Sequence, residues 1–210
     1  MGAINMKNHK PCLALFDFDG TLTHSDMFTK FIRLSAQKRR FIVWGSVILP
    51  FFIAYKAGLF PARVLRPMVA YINFKGREDK QVESLGAYYA QHIIPLHLRD
   101  KAMNKLQWHL DRGDKVVLVS ASLDIYLKFW CNSMNITLIC SEMERVDGQY
   151  SGHYLAGDCS GSTKAQKVKE QLTLENYQKI YAYGDTHEDL AMLALADEAY
   201  LNWQRFNTAN

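Results

Sequence analysis

Phe16-Asp17-Phe18-Asp19-Gly20-Thr21-Leu22-Thr23 follows directly on an apolar run over residues 12–16. A buried strand that ends in carboxylates presents them at the carboxyl edge of a sheet, where open α/β sheets bind ligands. Two acids one residue apart on a straight strand face opposite ways. Gly20 permits the sharp turn that brings both to one site. Such a pair can hold a hard cation and also supply a nucleophile. A lone Asp-x-Asp is more often a solvated turn after a strand, but the whole octet behind an apolar run is far more specific.

Further strand-like runs lie at residues 115–120, 136–140, 180–183 and 199–202, with helix-like segments at 123–132, 163–171 and 188–196. This alternation predicts an α/β fold with a doubly wound parallel sheet. Val146-Asp147-Gly148-Gln149 carries a hairpin signal of the Asp-Gly type. Roughly 100 residues separate the first two strands, far more than one crossover helix needs. The insert has helical patterning. The expected division is a Rossmann-like core from residues 1–24 and 106–210, with an inserted helical cap from 25–105.

The 210 residues carry a net charge of +4, which hides an asymmetry. Between Met27 and Arg77 there are ten bases and no acid, leaving 15 bases against 21 acids elsewhere. A basic lobe on an acidic body suggests an anionic partner. Within the lobe, residues 41–55 are uncharged and the apolar run continues to Phe60, interrupted by Pro50. A membrane span wants about 20 apolar residues. A cap helix pair packed in the core is the first reading, an interfacial pair the second and a spanning helix the third. Trp44, Phe51 and Phe52 are the rings expected to insert if that segment faces lipid. No Cys-x-x-Cys pair occurs among Cys12, Cys131, Cys140 and Cys159, which read as reduced thiols in a cytoplasmic chain. The first six residues show no signal-peptide pattern. Nucleic acid is not expected as a partner.

Three further pieces complete a candidate site. Val117-Leu118-Val119-Ser120 puts a hydroxyl at a strand end, and Ala121-Ser122 are expected to open a helix whose amides favour an anion. Gly161-Ser162-Thr163-Lys164 places a lysine in the first turn of a helix, against its dipole. Tyr183-Gly184-Asp185-Thr186-His187-Glu188-Asp189 again ends a strand in an acid, with another four residues on. Asp17, Asp19 and Asp185 at adjacent strand ends can supply oxygen ligands to Mg2+. His24 and His187 flank the two strongest motifs and read first as solvated loop residues.

These four motifs together resemble the haloacid dehalogenase superfamily, in its subfamily IB, the phosphoserine phosphatase-like branch with an α-helical C1 cap. The resemblance covers the core from residue 12 to about 202. It implies a Mg2+-dependent phosphomonoester hydrolase with Asp17 as nucleophile, forming an aspartyl-phosphate, and Asp19 as general acid and base. Ser120, Ala121 and Lys164 would bind phosphoryl oxygens. Asp17, the Asp19 carbonyl and Asp185 would hold the metal, and Asp189 would be a ligand or its support. The chain departs from phosphoserine phosphatases at Gly20, where that group carries Ser, and the acid-free stretch from Met27 to Arg77 offers no Glu to read an ammonium, which leaves Asp26 as the acid for that place. Asp19-Gly20-Thr21-Leu22, Asp26-Met27-Phe28, Leu49-Pro50 and Lys56-Ala57-Gly58 are similar, more loosely, to bacterial phosphatidylglycerophosphatase C. That likeness implies a lipid phosphate and peripheral contact with an anionic membrane at its inner face. A receiver-like signalling module, or an inactive phosphate-binding protein, is the competing non-enzyme reading.

Overall fold

β1 (Leu13–Phe16) is buried along its whole length. Its alternate residues feed two cores: Leu13 and Leu15 pack on one face of the sheet, Ala14 and Phe16 on the other. That two-sided burial is what a central parallel strand requires. The computed structural model describes residues 10–207, and for residues 38 and 41–44 it describes the backbone alone. The N-terminal six residues and the Trp44 ring therefore lie outside the described residues.

The other strands are β2 (Lys115–Leu123), β3 (Thr137–Ser141), β4 (Met143–Val146), β5 (Gln149–Tyr154), β6 (Ile180–Gly184), β7 (Glu198–Leu201) and β8 (Gln204–Phe206). Six of them form one sheet in the order β3-β2-β1-β6-β7-β8. All neighbours in it are parallel except β7 and β8. The doubly wound parallel sheet expected from the sequence is present. The antiparallel edge strand β8 was not anticipated, because Gln204-Arg205-Phe206 is too short to show a pattern. β4 and β5 form a separate hairpin, turned by Asp147 and Gly148, both at positive φ.

Between β1 and β2 the chain builds α1 (Met27–Ser35), α2 (Lys38–Lys56), α3 (Ala62–Phe74), α4 (Asp79–His92) and α5 (Asp100–Asp111). The chain leaves and rejoins the sheet through two adjacent linkers. Thr23 and Leu98 pair as an antiparallel bridge, and His24 N–H donates to the His97 carbonyl at 3.0 Å. Residue 105, the expected end of the insert, falls inside α5. The remaining helices are α6 (Asp124–Met134), α7 (Ser162–Gln171) and α8 (Leu190–Leu193).

Two local expectations are corrected. Ala121 and Ser122 do not open a helix: β2 runs on to Leu123 with a register shift, and α6 starts at Asp124. The physical reason is that Ser120 Oγ accepts the Ser122 N–H at 3.0 Å and keeps that stretch extended. The helix expected over 188–196 is reduced to the one turn of α8. Asp189 folds back to accept the N–H groups of Asp185 and Thr186, which holds residues 187–189 as a separate tight turn.

The basic, apolar insert is only partly a basic surface. Arg77 is buried and donates to the Ser35 carbonyl at 2.7 Å, and Arg40 donates to that of Lys75 at 2.7 Å. Phe51 and Phe52 are half-buried, Phe51 against Phe60 at 5.3 Å between ring centres. The outward apolar residues are instead Val47, Leu49, Ile53, Leu59 and Val64, with Leu59 81% exposed. Among the described residues no helix is long and apolar enough to cross a membrane.

Candidate active site

The carboxyl ends of β1, β2 and β6 meet below the insert, as parallel neighbours in register. Asp17 follows β1 and is anchored by its N–H to the Tyr183 carbonyl at 2.9 Å. The chain then turns through Asp19 in extended conformation and Gly20 at φ +82°. A Cβ at Gly20 would lie 1.9 Å from Asp185 Oδ2. Glycine is thus required twice over, by backbone conformation and by the close approach of an acid from the neighbouring strand. Gly184 is also crowded: a Cβ there would lie 2.5 Å from that of Asp189.

Lys164, the third residue of α7, is 2% exposed and reaches into this cluster. Its Nζ lies 2.5 Å from Asp17 Oδ1 and 2.6 Å from Asp189 Oδ1. The carboxylates of Asp17, Asp185 and Asp189 each offer an oxygen within 4.8 Å of the others. Three acids around one ammonium leave an excess of negative charge in a buried place. Their ionisation reflects it. Burial, then Asp189, pushes the Asp17 carboxyl well above the usual range despite Lys164. Burial, then Asp189, raises Asp185 to about 6. Burial also acts upward on Asp189, but the ammonium and hydrogen bonds of Lys164 outweigh it and hold Asp189 low. Lys164 keeps its proton because the two acids overcome its own burial.

A donor set of clustered carboxylates suits a hard divalent cation such as Mg2+, which would balance the surplus charge. Asp17, Asp185 and Asp189 are the side chains that would hold it.

Asp19 turns away from this cluster. Its Oδ1 accepts the Met27 N–H at 2.5 Å and its Oδ2 accepts the Ser122 hydroxyl at 2.5 Å. Burial, then Asp26, raises its carboxyl to about 6. Ala121 and Ser122 line the cavity above the site, whereas Ser120 is buried at 1% exposure and does not. His24 and His187 line the cavity and are exposed. His24 Nε2 lies 3.3 Å from His97 Nδ1 at the linkers.

That cavity, of about 1370 Å³, extends from Asp17 to the underside of the insert, where Ile48, Phe52, Leu59 and Phe60 line it. Arg66 on α3 enters it and pairs in two-pronged fashion with Asp158, at 2.8 and 2.9 Å, and with Glu188 at 3.0 Å. It ties the insert to the loop before Lys164 and to the turn between Asp185 and Asp189. Sequence reasoning missed Ser122, Arg66 and Asp158. Arg66 was visible only as one base of ten, and Ser122 only as the neighbour of a more obvious serine.

Comparison with known proteins finds a matching family and related chains. The family described as haloacid dehalogenase-like hydrolase matches residues 14–194. The protein CicA of Caulobacter vibrioides is 31% identical over 199 residues, covering 90% of this chain and 85% of its own. A histidinol-phosphatase of Neisseria meningitidis is 25% identical, covering 92% of this chain and 89% of its own. Among solved structures, a substrate-bound phosphoserine phosphatase superposes with a TM-score of 0.64 at 17% identity, covering 92% of this chain and 85% of its own. That last likeness concerns the fold.

Proposed function

The chain belongs to the haloacid dehalogenase-like hydrolase family, and on that premise we propose that it is a Mg2+-dependent phosphomonoester hydrolase carrying the phosphoryl group on Asp17. The observation that carries the reading is the buried bridge from Asp17 through Lys164 to Asp189, with Asp185 beside it. Phosphatases among the relatives support it. The reading excludes a receiver-like or inactive binding module.

The bound cation would cancel charge on the phosphoryl oxygens and on the attacking carboxylate. The chain's own residues do the rest. Asp17 attacks phosphorus, a bond forms from its carboxylate oxygen, and the ester P–O bond breaks. Asp19 gives a proton to the leaving oxygen. It then takes a proton from water, whose oxygen attacks phosphorus, breaks the bond to Asp17 and releases inorganic phosphate. Lys164 stabilises charge on the phosphoryl group throughout. Ser120, whose Oγ accepts the Ser122 N–H, would brace the end of β2 from below, and Ala121, which lines the cavity, would meet the phosphoryl oxygens. Residues 25–105 act as a cap that keeps bulk water from the intermediate. The reading takes subfamily IB as the branch, on the resemblance of the four motifs.

The substrate is a small phosphorylated metabolite or a lipid phosphate. The lipid reading, phosphatidylglycerophosphate at the inner face of the membrane, is favoured by the apolar lining of the cavity beneath α2 and α3. The outward Val47 and Ile53, with the exposed Lys56, would rest on an anionic bilayer, leaving the protein cytoplasmic and peripheral. The test of the class is turnover of p-nitrophenyl phosphate in Mg2+. Asp17→Asn and excess EDTA should each abolish it. Retention of most activity under either condition rejects the reading.

A further inference from the structure

Asp19 is held by two donors from different parts of the molecule. Ser122 Oγ–H comes from the core strand β2, and the Met27 N–H comes from the first residue of α1 in the insert. Both carboxyl oxygens are engaged, so the plane of the group is set by the line between the two donors. Ser122 is itself fixed: it is 1% exposed and its N–H is held by Ser120 Oγ at 3.0 Å. Beside it lies the fully buried Tyr126, whose hydroxyl has no hydrogen-bond partner among the described residues.

We propose that Ser122 is a positioning residue for proton transfer: together with the Met27 N–H it fixes the orientation in which the Asp19 carboxyl meets the leaving oxygen. The proposal rests on the phosphatase reading above. Ser122 donates to Oδ2 and the Met27 N–H donates to Oδ1, and the two donors together hold the carboxyl in one orientation. Without the hydroxyl, the group can rotate about its terminal torsion, which is broad, and the proton is no longer aimed.

A nitrophenolate departs without help, whereas an alkoxide needs the proton as the P–O bond breaks. The test therefore compares kcat/KM of the 210-residue chain in Mg2+ on an alkyl phosphate, glycerol 2-phosphate, and on p-nitrophenyl phosphate. Ser122→Ala should lose on the order of 10- to 100-fold on the alkyl ester and several-fold less on the aryl ester. Ser122→Thr, which keeps the hydroxyl, should restore most of the loss. Equal losses on both esters, no loss, or equal damage in the Thr variant overturn the proposal. Should Ser122→Ala fail to fold, Ser122→Cys keeps the volume with a weaker donor and supports the same comparison. If the wild-type chain hydrolyses neither ester, the phosphatase reading fails and this inference with it. If it hydrolyses both and Ser122→Ala matches it, only this inference fails.

Discussion

Gly20→Ala is the smallest change that separates the two demands made on the turn after β1. The first demand is conformational. Gly20 sits at φ +82°, and a residue with a Cβ in that region costs about 1–2 kcal/mol. For a chain of this size that lowers the melting temperature by roughly 2–8 °C. The second demand is spatial. The new Cβ would lie 1.9 Å from Asp185 Oδ2, and ordinary contact begins near 3.4 Å, so the carboxylate must retreat by about 1.5 Å. A misplacement of about 1 Å in a catalytic group costs on the order of 10²-fold in rate. The expected result is a folded protein, a few degrees less stable, with turnover of p-nitrophenyl phosphate down by that factor or more. It should also need a higher Mg2+ concentration for half-maximal activity. Thermal melts and a Mg2+ titration of turnover measure both effects on one preparation. Activity within about twofold of wild type, at an unchanged Mg2+ requirement, would show that Asp185 has no part in the site.

Lys164→Met removes the cation between two buried carboxylates and should lower turnover on the order of 10²-fold or more, with metal-free protein destabilised and Mg2+ recovering part of the loss; an unchanged melt in EDTA contradicts this. Asp185 and Asp19 are each raised to about 6, so without metal their stabilising contribution is complete below the ordinary carboxylate value and lost as pH rises through about 6. Mg2+ competes with protons for Asp185, and the rise in melting temperature on adding Mg2+ should therefore grow between about pH 4 and 6.5; a rise independent of pH in that window refutes the assignment. Arg66→Met leaves Asp158 buried and unpaired and should cost roughly 3 kcal/mol, seen as a melting temperature lower by about 6–12 °C, with Asp158→Asn in the same chain restoring part of it. Val47→Glu with Ile53→Glu, two exposed positions outside the cavity lining, should abolish sedimentation with anionic vesicles at low salt while sparing p-nitrophenyl phosphate turnover, and no binding by the wild-type chain removes the membrane reading.

The fold and half the site were legible in the sequence for one reason: strands that end in acids announce themselves locally. The octet at Phe16, the run into Asp185, and the serine ending residues 117–120 each need only a few neighbouring residues to be read. What was not legible depends on distance along the chain. Ser122 meets Asp19 across 103 residues, and Arg66 meets Asp158 across 92. Nothing near either residue signals the partner. Charge composition misled in a similar way. The ten bases of the insert look like one surface, yet Arg66 and Arg77 turn inward, onto carboxylates and onto a backbone carbonyl. The expected helix after Ser120 failed because one side-chain hydrogen bond, from Ser122 N–H to Ser120 Oγ, outweighs the propensity of a short segment.

The central claim, that Asp17 carries the phosphoryl group, is tested most directly by trapping it. The wild-type chain is mixed with a labelled phosphomonoester in Mg2+, quenched in acid within the first turnovers, and digested for mass spectrometry. The account predicts a label on Asp17 that hydroxylamine removes, as for any acyl phosphate, and none in Asp17→Asn. Turnover without a label on Asp17, together with activity in Asp17→Asn, would contradict it.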